Sequence, residues 1–107
     1  MKYPLILAAL LATAASGSAL AADPAAAAQK AGCMACHAMD KKLVGPAFKD
    51  IAAKYKGQAD AESKLVAKLK AGGQGVWGAI PMPPQTQLKD EDARRLVKWI
   101  LSGAKAQ

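Results

Sequence analysis

Residues 32–40 read GCMACHAMD, and the five positions from Cys33 to His37 hold both cysteines and the only histidine of the chain. That crowding limits the available chemistry. A structural zinc site needs four ligands, and no second pair accompanies these three. A redox disulfide between Cys33 and Cys36 calls for a strand–helix setting, and no convincing alternating strand is found anywhere in the sequence. A structural disulfide normally closes a longer loop. The histidine directly after the second cysteine points instead to covalent haem, for which Cys-x-x-Cys-His is the attachment signal. Two thioether bonds fix one edge of the macrocycle to the backbone, and the next residue, His37, then sits beneath the iron as its proximal ligand.

The rest of the chain agrees with a fold built around such a group. Residues 1–21 have the three parts of a secretory leader: Lys2 at the start, an apolar run LILAALLATAA, and small residues with Ala19 and Ala21 before the cleavage point. The apolar run is shorter than the roughly 20 residues a membrane span needs. No cysteine near the cleavage point offers a lipid anchor. The expected mature domain is therefore residues 22–107, starting at Ala22 and delivered to the periplasm. A domain of that size is marginal on a protein core alone and usually needs a disulfide, metal or cofactor. The mature part is rich in alanine and poor in large apolar side chains, which leaves its centre to something other than protein.

Helical signals dominate residues 22–107, and the expected fold class is all-α with about four helices. Asp23, Pro24 and Gly32 bracket a first helix at its cap, first turn and end. Phe48, Ile51, Ala52 and Tyr55 fall on one face of a second, which Gly57 stops. A third is capped by Asp60, carries the apolar stripe Leu65, Val66 and Leu69, and ends at Gly72–Gly73. The fourth opens with Asp90, Glu91 and Asp92, whose charges complement the helix dipole. It buries Ala93, Leu96, Val97, Ile100 and Leu101, and ends at Gly103. Between the third and fourth lies GQGVWGAIPMPPQTQ, a long loop of the kind that acts or wraps something.

Haem iron has a sixth position, and no second histidine exists to fill it. The candidates are Met34, Met39, Met82, a lysine, or nothing. Met34 and Met39 flank His37 in sequence and belong to its side of the ring. Met82 is far downstream, between Pro81 and Pro83–Pro84. Proline removes backbone freedom, so three prolines around one thioether make a stiff arm for the sulfur. Met82 is the expected sixth ligand.

GCMACH, VGPAFKDIAAKY, GQGVWGAIPMPP and LVKWIL occur in an order and spacing that resembles the class I monohaem cytochromes c, in particular the small bacterial cytochrome c-551 group. The resemblance spans essentially the whole of residues 22–107. It implies a small cytochrome c fold wrapped around one haem c, attached through Cys33 and Cys36 and ligated by His37 and Met82. It further implies that the Pro46 carbonyl accepts a hydrogen bond from His37, that the Trp77 indole N–H points toward a haem propionate, and that Lys68 lies near the same propionate. Relatives often have arginine at that position, and a lysine lacks the planar fork for a bidentate contact. Gln85 stands where relatives often have asparagine.

The expected function is a one-electron carrier rather than an enzyme, because two filled axial sites leave no open position for a substrate. By resemblance the donor would be a cytochrome bc-type complex and the acceptor a terminal oxidase, a nitrite reductase or a peroxidase. The alternative is an open-site haem protein that binds a gas or peroxide, and it predicts that Met82 is not bound. A haem-free thiol oxidoreductase using Cys33 and Cys36 is a further rival. The formal charge of +7 comes from scattered lysines with no aromatic-interleaved basic stripe, which disfavours nucleic acid. Acidic docking surfaces on redox proteins, met briefly by a monomer with no membrane insertion, suit it better.

Overall fold

The computed structural model describes residues 23–105, and the expected leader of residues 1–21 lies outside them. Four α-helices follow in order: α1 (Pro24–Lys30), α2 (Phe48–Tyr55), α3 (Ala61–Ala71) and α4 (Asp90–Leu101). One turn of 3₁₀-helix, Cys33–Ala35, separates α1 from α2. Among the described residues there are no strands, only two isolated antiparallel bridges. The all-α expectation holds. No described helix is long and apolar enough to cross a membrane.

Local chemistry sets most of the helix ends. The Asp23 carboxylate accepts from the Ala25 N–H at 3.3 Å, and Pro24 occupies the first helical position of α1. Asp60 departs from the expectation. It stands at the N-cap of α3, but its side chain makes no capping bond. Its carboxylate pairs with Lys64 at 3.2 Å, and its backbone carbonyl takes the Ser63 hydroxyl. A lysine one turn further on competes for the carboxylate that would otherwise cap.

The core gathers on α4, which packs against α1, α2 and α3 in turn. Ala93, Leu96, Val97 and Ile100 are buried as the sequence spacing indicates, with Leu101 half-buried. Trp99 is buried as well, off that stripe. A helix contacted by three others needs a buried arc wider than one stripe, and Trp99 fills the added part. Its ring meets Phe48 edge-on at 5.5 Å between centroids, and its indole N–H donates to the Lys105 carbonyl at 3.0 Å. The chain therefore folds back over α4 after the helix ends. Ala28 of α1 is wholly buried, so its thin alanine surface admits the close approach to α4.

The segment from Gly73 to Leu88 forms no helix, yet it is tied at defined points. Gly73 and Met82 exchange two backbone hydrogen bonds, at 3.1 and 2.8 Å. The Gln85 N–H donates to the Leu69 carbonyl at 2.7 Å. That bond satisfies a carbonyl that the last turn of α3 leaves without an intrahelical partner. The loop is thus anchored beside the C-terminal end of α3 at Met82 itself and again at Gln85.

Candidate cofactor site

A cavity of about 290 Å³ opens between α2, α3, the Cys33–His37 turn and the loop that follows α3. Cys33, Cys36, His37, Pro46, Lys68, Trp77 and Met82 all line it, so every residue singled out as a site residue meets at one place. Met34 and Met39 are absent from the lining. Met34 packs partly buried against the helical core, and Met39 is exposed. Of the described methionines, Met82 alone reaches the cavity.

The two cysteines are brought together by a tight turn. Gly32 adopts a left-handed φ of 81°, the Cys36 N–H donates to the Cys33 carbonyl at 3.2 Å, and the His37 N–H donates to the same carbonyl at 2.9 Å. Neither cysteine is in a disulfide. Burial pushes the Cys33 thiol above its ordinary range; a backbone hydrogen bond partly opposes the rise, and the neighbouring Cys36 sulfur adds least to it. A reactive thiol pair needs the opposite shift, because the thiolate is the nucleophile. The environment suits sulfurs held in an apolar wall better than sulfurs that exchange.

His37 is held from three directions. Its Nδ1–H donates to the Pro46 carbonyl at 2.7 Å, which fixes the tautomer and leaves the Nε2 lone pair free. The Phe48 ring stacks on the imidazole at 5.3 Å and 19°. Gly45 lies so close that a Cβ there would stand 2.6 Å from Cε1 and 2.9 Å from Nδ1. Only glycine fits against this ring. In the sequence, VGP points to its proline alone; the glycine against the ring and the stacking of Phe48 emerge only in the fold. A glycine directly before the proline whose carbonyl accepts from His37 was the available signal.

Met82 is held with similar economy of space. A Cβ on Gly72, whose φ is 68°, would lie 2.5 Å from the Met82 carbonyl and 2.8 Å from the Pro84 nitrogen. This close packing, the paired bonds to Gly73 and the flanking prolines fix the backbone that carries the sulfur. Gln85 is fixed elsewhere: its amide donates to the Pro83 carbonyl at 3.3 Å and accepts from Gln87 at 3.1 Å, outside the cavity lining.

The rest of the lining is mostly apolar, from Val44, Phe48, Ile51, Leu65, Leu69 and Ile80 among others. Ile80 is 67% exposed and Val44 is 50% exposed with respect to the protein's own atoms, and both turn this surface to the cavity. Val76 and Ile80 likewise belong to the cavity wall rather than to helix packing. A flat apolar macrocycle matches these features: two sulfurs on one turn, a tautomer-fixed imidazole, a tethered thioether and a greasy wall.

Comparison with known proteins agrees. Residues 15–104 match the profile of the family described as Cytochrome c. The chain is 52% identical over 101 residues to cytochrome c-551 of Pseudomonas aeruginosa, covering 92% of this chain and 96% of that one. It is 60% identical over 86 residues to cytochrome c2 of Rhodocyclus tenuis, covering 76% and 92%. Among solved structures it resembles wild-type Nitrosomonas europaea cytochrome c552, with a TM-score of 0.71 and 52% identity over 73% of this chain and 96% of that one. A class 1 cytochrome of Sideroxydans lithotrophicus aligns with a TM-score of 0.64 and 31% identity, covering 77% and 94%.

Proposed function

The chain belongs to the cytochrome c family and is a small electron carrier with one covalently attached haem c; from that premise we propose that it works in the periplasm, with Cys33 and Cys36 as the thioether anchors and His37 and Met82 as the two axial ligands. The observation that carries the ligand assignment is the convergence of a tautomer-fixed His37 and a doubly tethered Met82 on one cavity. When bound, the haem supplies a one-electron change at iron. The chain's own groups decide how favourable and how fast that change is. The Pro46 carbonyl, by accepting from Nδ1, raises the basicity of His37 and holds its plane. A thioether opposite an imidazole favours a higher potential than a second imidazole. Apolar side chains such as Ile51, Leu65 and Leu69 keep water away and disfavour added positive charge at the centre.

Rigidity serves the same role. The Gly45 and Phe48 contacts confine the His37 ring and the Gly73 bonds fix the Met82 backbone, so oxidation and reduction start from nearly one geometry. Trp77 and Lys68, both in the lining, supply an indole N–H and an ammonium for the carboxylate end of the group. With His37 and Met82 both holding the iron, no open position would remain for a substrate, which fits a carrier rather than an enzyme. Residues 1–21 direct export and are removed before Ala22. The monomer meets acidic redox partners, a cytochrome bc-type donor and an oxidase, nitrite reductase or peroxidase as acceptor, through its excess of basic side chains.

The test is spectroscopic. The oxidised protein is expected to show the weak far-red band of a methionine–iron bond, and Met82→Ala to lose it together with a large fall in midpoint potential. An unchanged spectrum and potential in that variant would falsify the ligand assignment. Mass spectrometry of protein recovered from the periplasm checks the leader, with Ala22 expected at the N-terminus. Reduction rates against candidate partners are expected to fall as salt rises.

A further inference from the structure

Trp77 sits at the cavity in a segment that does little to hold its ring. The Gly75 N–H donates to the Gly78 carbonyl at 2.8 Å, which closes a tight turn, and both glycines have positive φ, 99° and 120°. Trp77 is 42% exposed with respect to the protein's own atoms. The contact that reaches across to it comes from another element. Lys54, in the last turn of α2, places its ammonium 5.3 Å from the centroid of the Trp77 ring. The base of that lysine is fixed, because Ile51 and Tyr55 bury the same helix on either side of it and the Lys54 carbonyl accepts from the Gln58 side chain at 3.3 Å. A cation over an indole face is attracted by the ring quadrupole, and indole is the strongest such partner among side chains.

We propose that Lys54 is a positioning residue for Trp77: it clamps the indole against the rim of the haem cavity from the rigid end of α2 and adds a positive charge beside the redox centre. The proposal rests on the reading of Trp77 as a residue that faces the haem. Two consequences follow. The indole N–H keeps one direction, although its own glycine-flanked turn does not impose it. The ammonium also favours the reduced state, which carries one positive charge fewer at the iron, so its loss lowers the midpoint potential.

The experiment uses the intact holoprotein. Lys54→Met keeps a long apolar stem and removes the charge, whereas Lys54→Arg keeps a cation that stacks well on indole. The Trp77 indole N–H resonance is assigned by its loss in Trp77→Phe, which separates it from Trp99. Lys54→Met is expected to shift the Trp77 resonance, leave that of Trp99 in place, and weaken reduction by roughly twofold to threefold in equilibrium constant. Lys54→Arg is expected to restore both. If Lys54→Met moves neither reading while Trp77→Phe shifts the potential, the clamp is wrong and the role of Trp77 stands. A potential that falls with no movement of the indole resonance leaves only a point charge and also overturns the clamp. If Trp77→Phe itself leaves the potential unchanged, the haem-facing reading of Trp77 fails and the clamp with it.

Discussion

The helical side and the loop side of this molecule are held by different means. Around α4, protein packs on protein: Ala93 and Leu96 are completely buried away from the cavity, and Trp99 locks onto Phe48 and onto the chain end. From Gly73 to Pro84 the apolar side chains Val76, Trp77 and Ile80 turn to the cavity, and order comes from backbone bonds, glycines and prolines. The first side can lower its free energy by excluding water from its own side chains. The second needs the haem face to bury its apolar surface. A small chain can thus specify a centre it does not fill by spending few large residues and many backbone constraints on one half.

Three substitutions sharpen or break this contrast. Leu96→Ala removes a fully buried side chain that does not line the cavity, and it is expected to cost about 2–5 kcal/mol in denaturant unfolding. The far-red ferric band should remain unchanged in the folded variant. A lost band would mean that the two halves are not separable. Gly72→Ala acts on the loop side. Its Cβ would meet the Met82 carbonyl and the Pro84 nitrogen at a left-handed φ, so a cost of about 1–3 kcal/mol is expected. Here the band should weaken, because the tether of Met82 is what shifts. Retention of the band at full strength would show that the sulfur is positioned by something other than this close contact. Asp60→Ala gives the smallest effect. The carboxylate makes only an exposed pair with Lys64 and no cap, so stability should change by less than about 1 kcal/mol. A loss well above that in a thermal melt would restore the capping role that the sequence suggested.

Much of the fold was legible because its signals are local. Proline and glycine punctuation, the acidic first turn of α4 and the spacing of Phe48, Ile51 and Tyr55 each act within one or two turns of helix. The Cys-x-x-Cys-His cluster was legible for the same reason, since two thioethers and a ligand must be near one another on one edge of a ring. What stayed hidden depends on which of several available partners a side chain meets in the folded chain. Trp99 lies off the stripe of its helix and is buried where its ring meets Phe48 and the chain end returns over it. Asp60 reads as a cap until Lys64 takes its carboxylate. Gly45 and Gly72 read as turn residues until the His37 ring and the Met82 carbonyl are seen against them.

The sequence by itself determined the attachment chemistry, the helical class, and the identity of Met82 as the methionine set apart from the cysteine turn. Those follow from residue type, spacing and proline stiffness, which act along the chain. The tertiary structure alone decided that His37 is wedged between Gly45, Phe48 and the Pro46 carbonyl, that Met82 is tied to Gly73, and that Lys54 reaches the Trp77 ring. These contacts join one segment to another, across a loop for His37 and Met82 and between elements for Lys54 and Trp77, so they exist only once the chain has closed around the cavity.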